Sequence, residues 1–143
     1  MVVVCYIGGN EGASLVACDF LLRYVLFGVV NGHPEVVDLL KKIQLTVVPA
    51  LNIDQLSEIT SHFKSKSVVK LTFKNLHSHA AKCGEGQEDG VNLRFNYGPG
   101  FETNAEFCDM EFPGASKESE KETQALMNLI KQETVKKVIA VFK

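Results

Sequence analysis

Three places in this 143-residue chain carry side chains whose types and spacing suit chemistry. The first is Gly8-Gly9-Asn10-Glu11, a glycine turn between an apolar run and a long apolar helix, with a carboxylate at its end. In open α/β sheets such turns sit at the edge that carries the site, where a carboxylate serves as metal ligand, acid or base. A histidine at position 8 would make this a His-x-x-Glu metal pair, but Gly8 offers no donor. Gly8, Gly9 and Gly12 also raise a phosphate loop; the Gly-x-Gly-x-x-Gly spacing is absent and Glu11 would repel a phosphate. The second place is His77, His79 and Cys83, a cluster of metal-ligand types in polar sequence with no clear fourth ligand, which reads as ordinary solvated side chains. The third is Arg94, whose guanidinium matches a carboxylate bidentately and equally suits a plain surface position.

Composition narrows the classes. The length is that of one domain, with 45% hydrophobic and 22% charged residues, as in ordinary globular chains. A formal net charge of −2 provides no electrostatic footprint for nucleic acid. The start, Met1-Val2-Val3-Val4-Cys5-Tyr6-Ile7, has no basic region and no small-residue cleavage site, so it reads as a strand and not as a signal peptide. Four cysteines match no zinc-finger spacing. Cys5 and Cys18 read as buried free thiols; Cys83 and Cys108 lie in loop-like sequence and can pair if the protein is secreted.

The elements that must position these residues follow from apolar periodicity. Residues 2–7 form an unbroken apolar run, expected of a strand buried on both faces. Residues 13–30 are almost wholly apolar and predict a buried helix ending near Gly28. Asp19 and Arg23, four apart and able to pair, argue against a membrane span. Pro34 and Glu35 begin a second helix, which Lys41 and Lys42 close, and residues 43–48 predict a strand that Pro49 ends. Asn52 and Asp54 suit Asx-type loop bonds. Residues 55–90 carry the weakest pattern: a strand or hairpin arm near Val68–Phe73, then a polar, glycine-rich loop from His77 to Gly90. Ser119 and Glu122 predict a capping box for a helix to about Gln132, with Ala125, Leu126, Leu129 and Ile130 on one face. Residues 138–143 predict a further buried strand. This order predicts an α/β fold: a mostly parallel or mixed twisted sheet with helices on both faces, the last strand beside or close to the first, and Glu11 at the rim.

Five of these segments, in order, resemble the zinc metallocarboxypeptidase family, nearest to its secreted regulatory carboxypeptidase E, D and N branch. Ile7-Gly8-Gly9-Asn10-Glu11 is similar to that branch's Ile/Met-His-Gly-Asn-Glu. Pro34 to Leu40, then Leu45 to Val48, match the following helix and strand. Pro49-Ala50-Leu51-Asn52-Ile53-Asp54 is similar to Pro-Ser-Met-Asn-Pro-Asp, and Gly90-Val91-Asn92-Leu93-Arg94-Phe95-Asn96-Tyr97 to Gly-Val-Asp-Leu-Asn-Arg-Asn-Phe. Glu122-Thr123-Gln124-Ala125-Leu126-Met127 matches the Glu-Thr-x-Ala-Leu-Met helix, which the terminal strand follows. The resemblance implies one partial carboxypeptidase-like domain over residues 1–143, poorly matched at 55–83, and a secretory or extracellular setting.

It also implies what each site position would do. A catalytic zinc takes three protein ligands and a water. Gly8 stands where the first ligand, a histidine, belongs; Glu11 retains the second; Lys143 lies at or next to the third, and a protonated lysine is a poor ligand. Glu85 stands near the place of an oxyanion-stabilising arginine, and Asn92 in place of the motif's aspartate. The Asn-Arg pair that holds a substrate's terminal carboxylate aligns with Arg94-Phe95, so Arg94 serves as clamp only through a one-residue slip. The resemblance therefore predicts a degenerate carboxypeptidase-like protein, without zinc or hydrolysis, that binds a peptide or protein C-terminus or forms part of a larger secreted protein. The alternative is an active zinc carboxypeptidase.

Overall fold

The structure is a computed structural model in which residues 1–65, 72–77, 82–85, 87–98, 101, 104–132 and 135–142 are described. Three consecutive valines, β-branched and fully buried, form strand β1 (Val2–Val4). After the glycine turn come helices α1 (Gly12–Val30) and α2 (Pro34–Lys42), then β2 (Thr46–Val48) and α3 (Ile53–Ser65). Irregular chain leads to α4 (Lys121–Gln132) and β3 (Val138–Ala140). The sheet order is β2-β1-β3, all parallel, with Val2 opposite both Thr46 and Val138. Parallel neighbours need long crossovers, and α1–α2 and α3–α4 supply them. The expected adjacency of first and last strands is present.

Strand alternation sorts β1 between two faces. Val2 and Val4, with Ile7, pack on Leu51, Leu93 and Leu126 of α4. Val3 and Cys5 face the other way, onto Cys18 of α1. Helices therefore cover both faces, as expected of an α/β fold.

Several expectations are corrected. Cys5 and Cys18 are not free: they form a disulfide with Cα atoms 6.3 Å apart, tying the sheet to the second turn of α1. Helix α1 does not end at Gly28 and is not buried. Phe20 is 69% exposed and Val30 83%, while Ser14, Cys18 and Gly28 are its buried residues. A helix apolar all round carries no sign of which side faces the core, and three short strands cover one face of it. By length and composition it could span a membrane. Gly28 instead marks the crossing of α1 and α2, where an added Cβ would lie 2.6 Å from Val36 Cγ2. The predicted Asp19–Arg23 pair is present at 2.7 Å on the exposed surface.

Strand β2 is shorter than predicted because Ile43 closes α2, its amide bonded to the Leu39 carbonyl. β3 is exposed, not buried, and among the described residues it has one strand neighbour. Residues 53–65, for which the sequence showed no clear pattern, are helical; Asp54 lies in the helix and not in the expected loop, and Asn52 Oδ1 accepts from the Gln55 amide at its start. Ser119 does not form the predicted capping box: its hydroxyl donates to Glu120, and α4 begins at Lys121. Residues 66–71 of the predicted 68–73 strand lie outside the described residues, and Thr72 and Phe73 are not in a strand.

Candidate functional site

The site is built where β1 ends. The chain continues buried through Cys5, Tyr6 and Ile7, with Tyr6 at φ +49°, a left-handed conformation that bends it off the strand. The Leu51 and Asn52 amides donate to the Cys5 and Tyr6 carbonyls, which holds the bend against the chain leaving β2. Ser14 secures it from the helix side. Its hydroxyl accepts from the Tyr6 amide at 2.9 Å and donates to the Glu11 carbonyl at 2.8 Å. Gly9 lies against α3 and the 72–77 segment so closely that an added Cβ would strike Gln55 Cγ and the Thr72 carbonyl.

Glu11 ends this turn, directly before α1, and is 1% exposed. Its Oε2 accepts from the Ile7 and Gly8 amides, each at 3.1 Å. Its Oε1 forms an ion pair with Nη2 of Arg94. The Arg94 guanidinium carbon lies 5.0 Å from the Phe142 ring centroid and 5.8 Å from that of Phe73, distances of cation–π contact. Burial makes the guanidinium somewhat easier to deprotonate, yet an arginine remains charged at any ordinary pH. Asn92 sets this geometry from behind: Oδ1 accepts from the Arg94 amide at 3.1 Å and Nδ2 donates to the Met110 carbonyl at 3.0 Å. Beneath Arg94 a cavity of about 350 Å³ opens between α4 and β3, its wall almost wholly apolar: Ile7, Leu126, Ile130, Ala140 and Phe142.

A second polar centre lies at the start of α4, where the sequence marked His77 and Ser119 separately but offered no pattern that joins them to Glu120. Glu120 is buried and accepts from Asn75 Nδ2 and Ser119 Oγ, each at 2.7 Å, and lies 2.6 Å from His77 Nδ1. Burial favours its protonated form, but the hydrogen bonds from Asn75, Ser119 and His77 outweigh that and hold the carboxyl below the usual range. Asn96 supports it, accepting from the Glu120 amide and donating to the Pro113 and Ser116 carbonyls and to Ser119 Oγ. Lys74, wholly buried beside this centre, donates to the Glu88 and Phe107 carbonyls at 2.7 and 3.0 Å and faces the Phe107 and Phe112 rings. Each of these residues lies in irregular chain or at a helix start, where periodicity gives no signal.

The other sequence candidates are dispersed. Cys83 forms a disulfide with Cys108, so the His77–His79–Cys83 cluster has lost its thiol; His77 is on Glu120, and His79 lies outside the described residues. Glu85 is exposed, Phe95 is half-buried, and Lys143 lies outside the described residues. Among the described residues no group of three histidines, cysteines or carboxylates could hold a metal. Gly8 supplies no donor, and the Glu11 oxygen not bonded to amides faces a cation. This donor set does not fit a zinc ion.

A sequence profile of the zinc carboxypeptidase family matches residues 1–142. The chain belongs to the zinc carboxypeptidase family. Its fold is similar to that of bovine thrombin-activatable fibrinolysis inhibitor in complex with tick carboxypeptidase inhibitor. The TM-score is 0.75 and the identity 21%, over 100% of this chain and 45% of that one. A second structure of thrombin-activatable fibrinolysis inhibitor has TM-score 0.73 and 20% identity, over 98% of this chain and 34% of the other. The chain thus spans less than half the length of these two solved chains. No curated protein matches it significantly. Zinc is the cofactor of the family.

Proposed function

We propose that this chain is a carboxypeptidase-like module that has lost hydrolysis and binds a peptide or protein partner. One observation carries the reading: the His-x-x-Glu position holds Gly8, and the glutamate that remains, Glu11, is buried against its own backbone amides and Arg94. A single carboxylate in that state cannot assemble a Lewis-acid site, which needs several ligands and an open position. Residues 1–143 form one partial domain in this reading, with 55–83 its most divergent part. The two disulfides fit an oxidising, secretory setting. We read α1 as part of the globular fold and not as a membrane span, because a disulfide and the Gly28–Val36 contact fasten it to the sheet and to α2. Nucleic acid is not the expected partner at a net charge of −2.

Arg94 would hold a partner's terminal carboxylate only by exchanging Glu11 for it. Peptides with free or amidated C-termini, ending in Arg, Lys or an apolar residue, test both points, with zinc supplied. The expected result is no released residue by mass spectrometry and no preference for the free acid in calorimetry. Turnover that a chelator abolishes would establish the active-enzyme reading instead. A free-acid preference lost in Arg94→Met would assign Arg94 as the clamp.

A further inference from the structure

The family sets a divalent cation against the glutamate of this turn. Here Glu11 is almost completely excluded from water, and such a carboxylate is strongly disfavoured unless a positive charge meets it. We infer that the Arg94 guanidinium is the resident cation of the turn, a charge supplied from within the chain in place of a metal. The inference rests on the reading above only in taking Glu11 as the family's ligand position.

Three features on separate segments converge on it. Arg94 lies between Phe142, just after β3, and Phe73, so its side chain is held in place and does not wander over a surface. Asn92 bonds the Arg94 amide and sets the backbone from which the side chain reaches inward. Gly8 completes the arrangement. A Cβ at that position would lie 3.1 Å from Glu11 Oε1, the oxygen that Arg94 meets, and 3.2 Å from the carboxyl carbon. A larger side chain there would rise beside the oxygen that the guanidinium uses. The missing side chain at position 8 and the arginine at position 94 are therefore two halves of one exchange.

The test is a double-mutant cycle by chemical denaturation, with a chelator present and no substrate, so it is independent of turnover. Glu11→Gln and Arg94→Met should each lower the folding equilibrium constant, Arg94→Met on the order of a hundredfold because it leaves the buried Glu11 carboxylate uncompensated, and Glu11→Gln by less because the guanidinium is only part-buried. The double variant should be no less stable than the weaker single variant. Arg94→Lys, which keeps the charge and loses the planar fork, should fall between the parent and Arg94→Met. Zinc chloride should leave the parent's unfolding midpoint unmoved. Simple additivity of the single effects, Arg94→Lys no better than Arg94→Met, or one zinc per chain with a raised midpoint would each overturn the inference. If a single variant does not fold, the double variant and the zinc titration of the parent still decide it.

Discussion

His77 Nδ1 lies 2.6 Å from the buried Glu120 carboxylate, and that contact joins the 72–77 segment to the start of α4. The same carboxylate accepts from Asn75, so two residues of one irregular segment are anchored on a single side chain. Ordered irregular chain needs such anchors, because it has no ladder to satisfy its polar groups.

The anchor predicts an acid limit. The folded state holds the Glu120 carboxyl below its ordinary value of 4.5 through Asn75, Ser119 and His77, against the opposing effect of burial. A depressed carboxyl contributes stability that is full above the unfolded value and is lost as pH falls through the folded one. Denaturant midpoints of Glu120→Gln should therefore lie below the parent's at pH 7 by about 2 kcal/mol in stability, with the gap closing below about pH 4.5. A gap unchanged down to pH 2 would show that the charge of Glu120 plays no part.

Lys74 gives a second prediction. Its ammonium satisfies two carbonyls while its stem is fully buried, and burial lowers its pKa against the raising influence of Glu88, Asp109 and Asp89. Lys74→Met should lose about 2 kcal/mol, since the Glu88 and Phe107 carbonyls would be left without their donor. Urea unfolding measures it, and an equally stable variant would mean that water replaces the ammonium at no cost.

The Cys5–Cys18 bridge gives a third. It closes a 13-residue interval, and a loop of that size contributes about 3 kcal/mol by restricting the unfolded chain. The Cys5→Ala/Cys18→Ala protein should be less stable by that amount and unfold at a lower temperature. The parent should show no thiol by alkylation without reductant, because both described pairs are bridged.

Gly90 gives a fourth. It has φ +93°, and an added Cβ would strike the Asn75 carbonyl. Gly90→Ala combines backbone strain with that collision and should lose about 3 kcal/mol, read by thermal unfolding. A near-neutral result would require the 72–77 segment to shift away, which weaker protection of the Asn75 amide from hydrogen exchange would reveal.

How much of this was legible in the chain depends on how local each signal is. Pro34 with Lys41 and Lys42, the Val2–Val4 run, and Leu126, Leu129 and Ile130 on α4 are short-range patterns, and the elements they predict are present. Glu11 stood out in the sequence as a carboxylate at the end of a glycine turn, and only the family resemblance made it a candidate zinc-ligand position. Its ion pair with Arg94 was not legible, since no spacing rule relates side chains brought together by separate loops. The partner of Cys5 was hidden for the same reason. Helix α3 was missed because Leu56, Ile59 and Phe63 lie among polar residues, while its Asn52 cap doubled as an apparent loop signal. The burial of α1 was misjudged because composition reports how apolar a helix is and not what lies opposite it.

The register of β1 against β3 has a consequence for timing. Val2 pairs with Val138, so one side of the central strand waits until residues 138–140 have been synthesised. Its other side, against Thr46, is available far earlier. A nascent chain therefore holds β1 half-paired until that point, with the Glu11 turn bonded locally but Phe142 not yet beside Arg94. Whatever shields that open strand edge on the ribosome, chaperone or neighbouring chain, acts before the rim is complete.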